Sequence, residues 1–275
     1  MNVRYKSINF FVLFLLSALI SSADNFPLGA RSCALGNASV SFSDGWSSQN
    51  NQAGLAFLKN NSCAFYHEQR FGLKELSLNA ATTAIITKKG VFGISVSSFG
   101  YTLYNENKFG IAYARRLSNT FSIGVQVDYF YTHISDEYGN KGVPLAEVGI
   151  LKKLTNKLSV GVHFFNLSST KLANYSNERV PTIVRFGMSY LLSKQLLIAV
   201  EAEKDIQLKP LLKAGIEYHP RKNIFLRAGI SSTFFSFGFG IVIHNFELNI
   251  ASSFHPKLGY TPEVSMTYHF DKKSN

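Results

Sequence analysis

Acidic residues, cysteine and tryptophan are all scarce in this 275-residue chain: 17 Asp and Glu stand against 28 Lys and Arg, with two Cys and one Trp. Beyond residues 8–20 it also lacks any apolar run of helical spanning length, for which about 20 residues are needed. A bundle of membrane helices is thereby excluded. If the chain crosses a membrane, a closed β-barrel remains, because every backbone amide must be paired there. Catalytic signatures are missing too. No H-E-x-x-H, G-x-S-x-G, phosphate-loop or paired-cysteine zinc spacing occurs. The seven histidines are dispersed, without ligand spacing. A wall-mounted hydrolase would have to draw on His163 and Asn166 with no serine motif beside them. No enzyme, cofactor or metal is expected.

What is present begins with an export sequence. Arg4 and Lys6 precede the apolar stretch, which ends in Ser21-Ser22-Ala23 before Asp24. That order of basic, apolar and small residues predicts cleavage after Ala23, the alternative being a retained anchor helix. Export argues against nucleic acid as the partner of a chain carrying a net charge of +11. In an oxidising compartment Cys33 and Cys63 are candidates for a disulfide, or else two separate small hydrophobes.

The stretch 235–253 shows the dominant pattern. Folded as a hairpin about His244-Asn245, it sets Phe239, Ile241 and Ile243 against Ile250, Leu248 and Phe246 on one face. Gly238, Gly240 and Ser236 meet Ala251, Asn249 and Ser253 on the other. A soluble sandwich would carry Lys, Glu and Thr on its outer face. Large apolar residues opposite small polar ones suit a membrane barrel instead, with lipid outside and a filled lumen inside.

About fourteen such alternating segments lie between residues 62 and 270. The expected fold is therefore all-β, a transmembrane antiparallel up-and-down barrel. Links after even-numbered strands are short, as at Lys88-Lys89-Gly90 and Pro220-Arg221, and rich in Lys and Arg. Those after odd-numbered strands read as mostly longer, including residues 133–144 and 167–180, with acids such as Asp136, Glu137 and Glu178. Short periplasmic turns alternating with longer external loops fit an outer-membrane barrel. All seven prolines fall in the N-terminal segment, in loops or near strand ends.

Residues 24–61, rich in Ser, Asn, Gly and Ala, are too polar to face lipid and read as a segment tucked into the lumen. The chain thus divides into an export sequence (1–23), a plug segment (24–61) and a barrel (62–275). The plug reads Gly29-Ala30-Arg31-Ser32-Cys33-Ala34-Leu35-Gly36, continues to Phe42, Asp44 and Trp46, then Asn51-Gln52-Ala53-Gly54-Leu55. This resembles the N-terminal pattern of FadL-like (fatty-acid-transporter-like) barrels, especially the PorV/PorQ type linked to type IX secretion, with Gln52 in place of the usual Pro. The resemblance implies an outer-membrane barrel that is a conduit for a hydrophobic molecule or a secretion-associated barrel. The alternative it leaves is a scaffold with a sealed lumen that binds periplasmic or surface proteins. It also marks Arg31, Gly36, Phe42, Asp44, Trp46, Asn51, Ala53, Gly54 and Leu55 as plug residues. Outer-membrane lipids, a hydrophobic ligand and a secretion-system or periplasmic protein are the expected partners.

Strand parity adds a second set of candidates. Asp128, Glu147, Arg185, Glu201, Glu203, Lys213, Glu217 and Arg227 all fall opposite the apolar face. Interleaved signs predict an ion-paired lumen, since an isolated buried ion costs several kcal/mol. A cation among them could alternatively meet an anionic head group.

Overall fold

A computed structural model describes residues 27–135, 139–170 and 180–270. The export sequence at 1–23 and the loop acids Asp136, Glu137 and Glu178 lie outside the described residues. Fourteen strands form: β1 (Ser62–Gln69), β2 (Ser77–Ile86), β3 (Val91–Tyr101), β4 (Tyr104–Ser118), β5 (Phe121–Ile134), β6 (Gly139–Lys153), β7 (Leu158–Phe165), β8 (Ile183–Leu191), β9 (Leu196–Asp205), β10 (Leu211–Arg221), β11 (Ile224–Ser231), β12 (Phe235–Ile243), β13 (Phe246–His255) and β14 (Gly259–His269). Each pairs antiparallel with its chain neighbour, and β14 closes on β1, so no sheet edge is left open.

The ladder of β12 and β13 pairs Ile243 with Phe246, Phe239 with Ile250 and Gly240 with Asn249, the register that alternation predicts. Phe237 and Ile250 are 56% and 57% exposed, whereas Ser236 and Asn249 are buried. This is the reverse of a water-soluble domain, where leaving apolar surface in water forgoes about 25 cal/mol per Å². Outward Phe, Ile, Val and Leu recur on strand after strand. The outer face is built for hydrocarbon, and the chain is a transmembrane barrel.

One expectation about connections is corrected. Residues 133–144 are not a long loop: the β5–β6 ladder runs from Phe121 opposite Lys152 to Ile134 opposite Gly139. The link between β3 and β4 is also short, residues 102–103 alone, as the strand spacing implies. The length contrast between the two ends rests mainly on 70–76 and 166–182. Pro144 consequently sits inside a strand rather than in a loop. Its carbonyl accepts from Thr170 Oγ1 on the β7 side, and pairing with β7 begins only at Val148. The missing N–H therefore points where no ladder partner waits, so the proline costs nothing.

Ahead of β1 the chain forms two short helices, α1 (Ala30–Ala34) and α2 (Ser47–Asn50), and a 3₁₀ turn over Gln52–Phe57. Helix α1 contacts β11 to β14, and the 3₁₀ turn contacts β3 to β6, opposite sectors of the wall. Almost every residue from Leu28 to Ala56 is buried. The segment lies inside the barrel. No described helix is long and apolar enough to cross a membrane, which says nothing of the strands.

Candidate functional site

The lumen accommodates the N-terminal segment because the wall is shaved to glycine where its backbone passes. A methyl group on Gly229 would come within 2.1 Å of Gly36 N, and one on Gly161 within 2.1 Å of Val40 O. Gly36 itself takes φ 66, a left-handed conformation that favours glycine, and its N–H donates to Ser236 Oγ at 3.1 Å. Neighbouring contacts are also to main chain. Ser39 N and Val40 N both donate to Glu201 Oε2, at 2.8 and 2.9 Å. Asn51 donates through Nδ2 to Val40 O and Ile150 O, at 2.6 and 3.1 Å. Its Oδ1 accepts from Ala53 N, Ser43 Oγ donates to Gly54 O, and Ser122 Oγ reaches Ala53 O. Leu55 fills a small apolar cluster with Ala84, Val91, Ala112 and Ala114.

On the β8–β11 side, charge fastens the segment. Arg31 forks onto Glu217, Nε to Oε2 at 2.8 Å and Nη2 to Oε1 at 2.9 Å, with Nη1 3.3 Å from Asp44. Arg227 meets the same carboxylate at 2.6 Å and Asn249 Oδ1 at 2.7 Å. Lys213 bridges Glu201 and Glu203 at 3.0 and 2.7 Å, and Arg185 holds Glu203 at 2.8 Å. The bidentate Arg31–Glu217 pair is the strong, directional kind, and the Arg31 guanidinium also covers the Phe42 ring at 4.4 Å.

Further round, Glu147 gathers Lys108 Nζ at 3.2 Å, His163 Nε2 at 3.0 Å and Gln52 Nε2 at 2.5 Å. Asp128 accepts from Gln126 Nε2 at 2.7 Å. Hence all eight charges predicted from parity face the lumen, although their contacts form three groups rather than one: Glu217 with Arg227, then Arg185, Glu203, Lys213 and Glu201, and further round Glu147 and Asp128. His163 bonds Glu147 while Asn166 donates to Val180 O, so the two do not form a hydrolase pair.

The β14–β1 side is different. Tyr66 Oη lies 2.8 Å from Glu68 Oε2 and 2.7 Å from Glu263 Oε2, and Arg70 meets Glu68 at 2.6 Å. Trp46 stacks edge-on against Tyr66 with ring centroids 5.7 Å apart. Here the segment is seated by aromatic and small-residue packing with Leu28, Ala64 and Leu78.

Of the two alternatives for the cysteines, the structure has them separate: both are free. Cys33 is buried in α1, and burial, with Glu263 nearby, pushes its thiol well above the usual range. Cys63 shares the outward parity of Phe65 on β1. A bond would have to pass through the wall.

Lys108, Gln126, His163, Asn249 and the Tyr66–Glu68–Glu263 group were not among the candidates chosen from sequence, except for His163 in the hydrolase scheme. Parity would have found them, since each except Glu68, which lies between His67 and Gln69, alternates with an outward Phe, Val, Ile or Leu. What hid them was the restriction to charges on a few consecutive strands.

No family model matches the chain, and no curated protein matches it. Solved structures do. The Ralstonia pickettii toluene transporter TbuX superposes with a TM-score of 0.71 at 11% identity, covering 90% of this chain and 100% of that one. The CymD monoaromatic hydrocarbon channel gives 0.71 at 12%, covering 91% and 100%. A Pseudomonas aeruginosa FadL homologue gives 0.61 at 10%, covering 92% and 99%. The chain has the fold of a FadL-like barrel. At such identity the likeness is one of architecture, fourteen closed strands, and no residue of the FadL-like lumen is carried over from those proteins.

Proposed function

We propose that this chain is an outer-membrane conduit for a small hydrophobic molecule, with residues 27–61 acting as a plug that must shift for passage. The single observation behind this reading is the superposition on a toluene transporter and a monoaromatic hydrocarbon channel over nine-tenths of the chain. The asymmetric seating of the segment supports the moving part. Charge fastens one side, while packing and two uncharged hydrogen bonds, Ala30 N to Ser265 Oγ and Ser48 Oγ with Thr82 Oγ1, hold the Trp46 side, where displacement meets the least resistance. Delivery would follow cleavage of the export sequence after Ala23.

A methyl on Gly45 would lie 3.7 Å from Ala64 Cβ, close to the separation of about 3.8 Å that a disulfide needs. Gly45→Cys with Ala64→Cys, in a Cys33→Ala and Cys63→Ala background, therefore locks the segment to β1. Oxidised cells should lose uptake of labelled toluene and recover it on reduction. Unchanged uptake in the locked state defeats the moving plug. Absence of protein-dependent uptake in the unmutated chain defeats the conduit.

A second reading, a sealed scaffold for periplasmic or surface proteins, is favoured by the backbone contacts at Gly161 and Gly229, which leave no bore beside the segment there. It predicts a protein that co-purifies in stoichiometric amount. The association with type IX secretion and the PorV/PorQ type rests on the N-terminal pattern alone.

A further inference from the structure

The outer wall carries a groove of about 720 Å³ over β14, β1 and β2 to β5, within the range of about 300–1,000 Å³ typical of small-molecule pockets. Two cross-strand rows build it. One runs Phe65, Ala81, Val96, Phe109, Tyr129, each opposite the next in the ladders, with Met266 across from Phe65. Ala81 is the small residue in this row and forms the floor between taller neighbours. Two residues nearer the 70–76 and 102–103 connections, the second row runs His67, Asn79, Ser98, Asn107, Tyr131. Every member can hydrogen-bond, on the face where the next strands round, β13 and β12, present Ile250 and Phe239. His67 Nδ1 pairs with Asn79 Oδ1 at 2.9 Å, so its other ring nitrogen and the Ser98 hydroxyl are left for a ligand.

We propose that this groove holds one membrane lipid, an alkyl chain lying over Ala81 and the head group hydrogen-bonded at His67 and Ser98. The occupant comes from the bilayer rather than the lumen. The five ladders from β14 through β5 are unbroken behind the groove, the one register shift among them lying at the far end of β4, between Arg116 and Ser118, and its exposed walls are continuous with the lipid-facing surface. A dent in that surface meets hydrocarbon by position. A polar rim along one edge selects an amphiphile over a plain hydrocarbon, because polar groups facing lipid are costly unless paired.

The inference rests on the wall facing lipid and is independent of what crosses the lumen. Its test is native mass spectrometry of the full exported chain extracted from membranes in mild detergent. The unmutated protein should retain one phospholipid or lipopolysaccharide. Ala81→Trp, which fills the floor, should lose it, and His67→Phe should release it at lower collision energy. Ile250→Trp, a large residue on the β13 wall, should leave it in place. Heat-dependent gel migration verifies that each variant is a closed barrel. Retention by Ala81→Trp, equal loss from Ile250→Trp, unaltered release from His67→Phe, or detergent alone in the unmutated protein each overturn the proposal. A lipid-free barrel that still needs detergent to stay dispersed would sink the groove and leave the membrane assignment standing.

Discussion

The two sides of the lumen hold the same N-terminal segment by different physics. Along β8–β11 each carboxylate has a cation: Glu217 has Arg31 and Arg227, while Glu201 and Glu203 share Lys213. Along β14–β1 the one ion pair, Arg70 with Glu68, lies within the wall and does not touch the segment; Glu68 and Glu263 share the single hydroxyl hydrogen of Tyr66, and an aromatic pair with one uncharged hydrogen bond, Ala30 N to Ser265 Oγ, does the seating. The contrast teaches where specificity and where freedom reside. Forked ion pairs fix one position and direction, whereas packing of Trp46 tolerates sliding at lower cost. Removing Glu217 tests the first half most severely. Glu217→Ala leaves two guanidinium groups facing each other without their shared carboxylate, in a lumen where the Glu217 side chain is 2% exposed. Breaking a buried pair in this way costs about 3–5 kcal/mol. The expected result is a barrel that unfolds at distinctly lower urea concentration, read by the heat-dependent gel shift. Unchanged unfolding would mean that these charges are hydrated and carry no structural weight.

A smaller effect is expected from crowding the charged side without touching a charge. Gly229→Ala places a methyl 2.1 Å from Gly36 N, and overpacking of a close contact costs about 1–3 kcal/mol. Because the wall ladders are continuous, the segment must yield. Limited proteolysis should then cut within residues 27–61 while the strands stay resistant. If Glu217→Ala also exposes the segment while barrel unfolding alone is unaffected in Gly229→Ala, the latch and the wall are separable.

How much of this was legible in the residues follows from what period-two alternation encodes. It states which way a side chain points, so the outward Phe237 and Ile250 and the inward Glu201 and Arg227 could be read directly. It does not state height along the barrel or which inward residues meet. The gathering of Lys108, Glu147, His163 and Gln52 depends on strand stagger and on the path of the N-terminal segment, neither of which leaves a periodic trace. The β5–β6 hairpin was read as a loop for a related reason: Gly139, Gly142 and Pro144 are turn residues by composition. They sit in strand because Tyr129, Tyr131 and Ile134 across the ladder supply the pairing. The cysteines are the converse case. Export permits a disulfide and so leaves it open beside two separate small hydrophobes, whereas the parity of β1, which turns Cys63 outward, decides for the second.

On the β14–β1 side the corresponding carboxyl substitution should be mild. In Glu263→Gln the amide keeps the size of the side chain and can donate toward Tyr66 or Glu68, so one hydrogen bond is exchanged for another. The cost should fall below about 1.5 kcal/mol, well under that of Glu217→Ala in the same gel assay. Equal losses at the two positions would erase the distinction between a latched side and a packed side.

The smallest effect concerns the cysteines, which report on the wall that separates them. Cys63 faces outward on β1, whereas Cys33 lies buried in α1 with its thiol pushed up by burial, so little thiolate is available to react. A lipid-soluble maleimide should label Cys63 in the folded barrel and reach Cys33 only after denaturation. Cys63→Ser, a surface change, should shift stability by no more than about 0.5 kcal/mol. Gly229→Ala, by pushing the segment off the latched side, should speed labelling of Cys33 and leave that of Cys63 unaltered. Labelling of either residue only after reduction would restore the disulfide, and with it a tether that holds the Trp46 side as firmly as Arg31 holds the other.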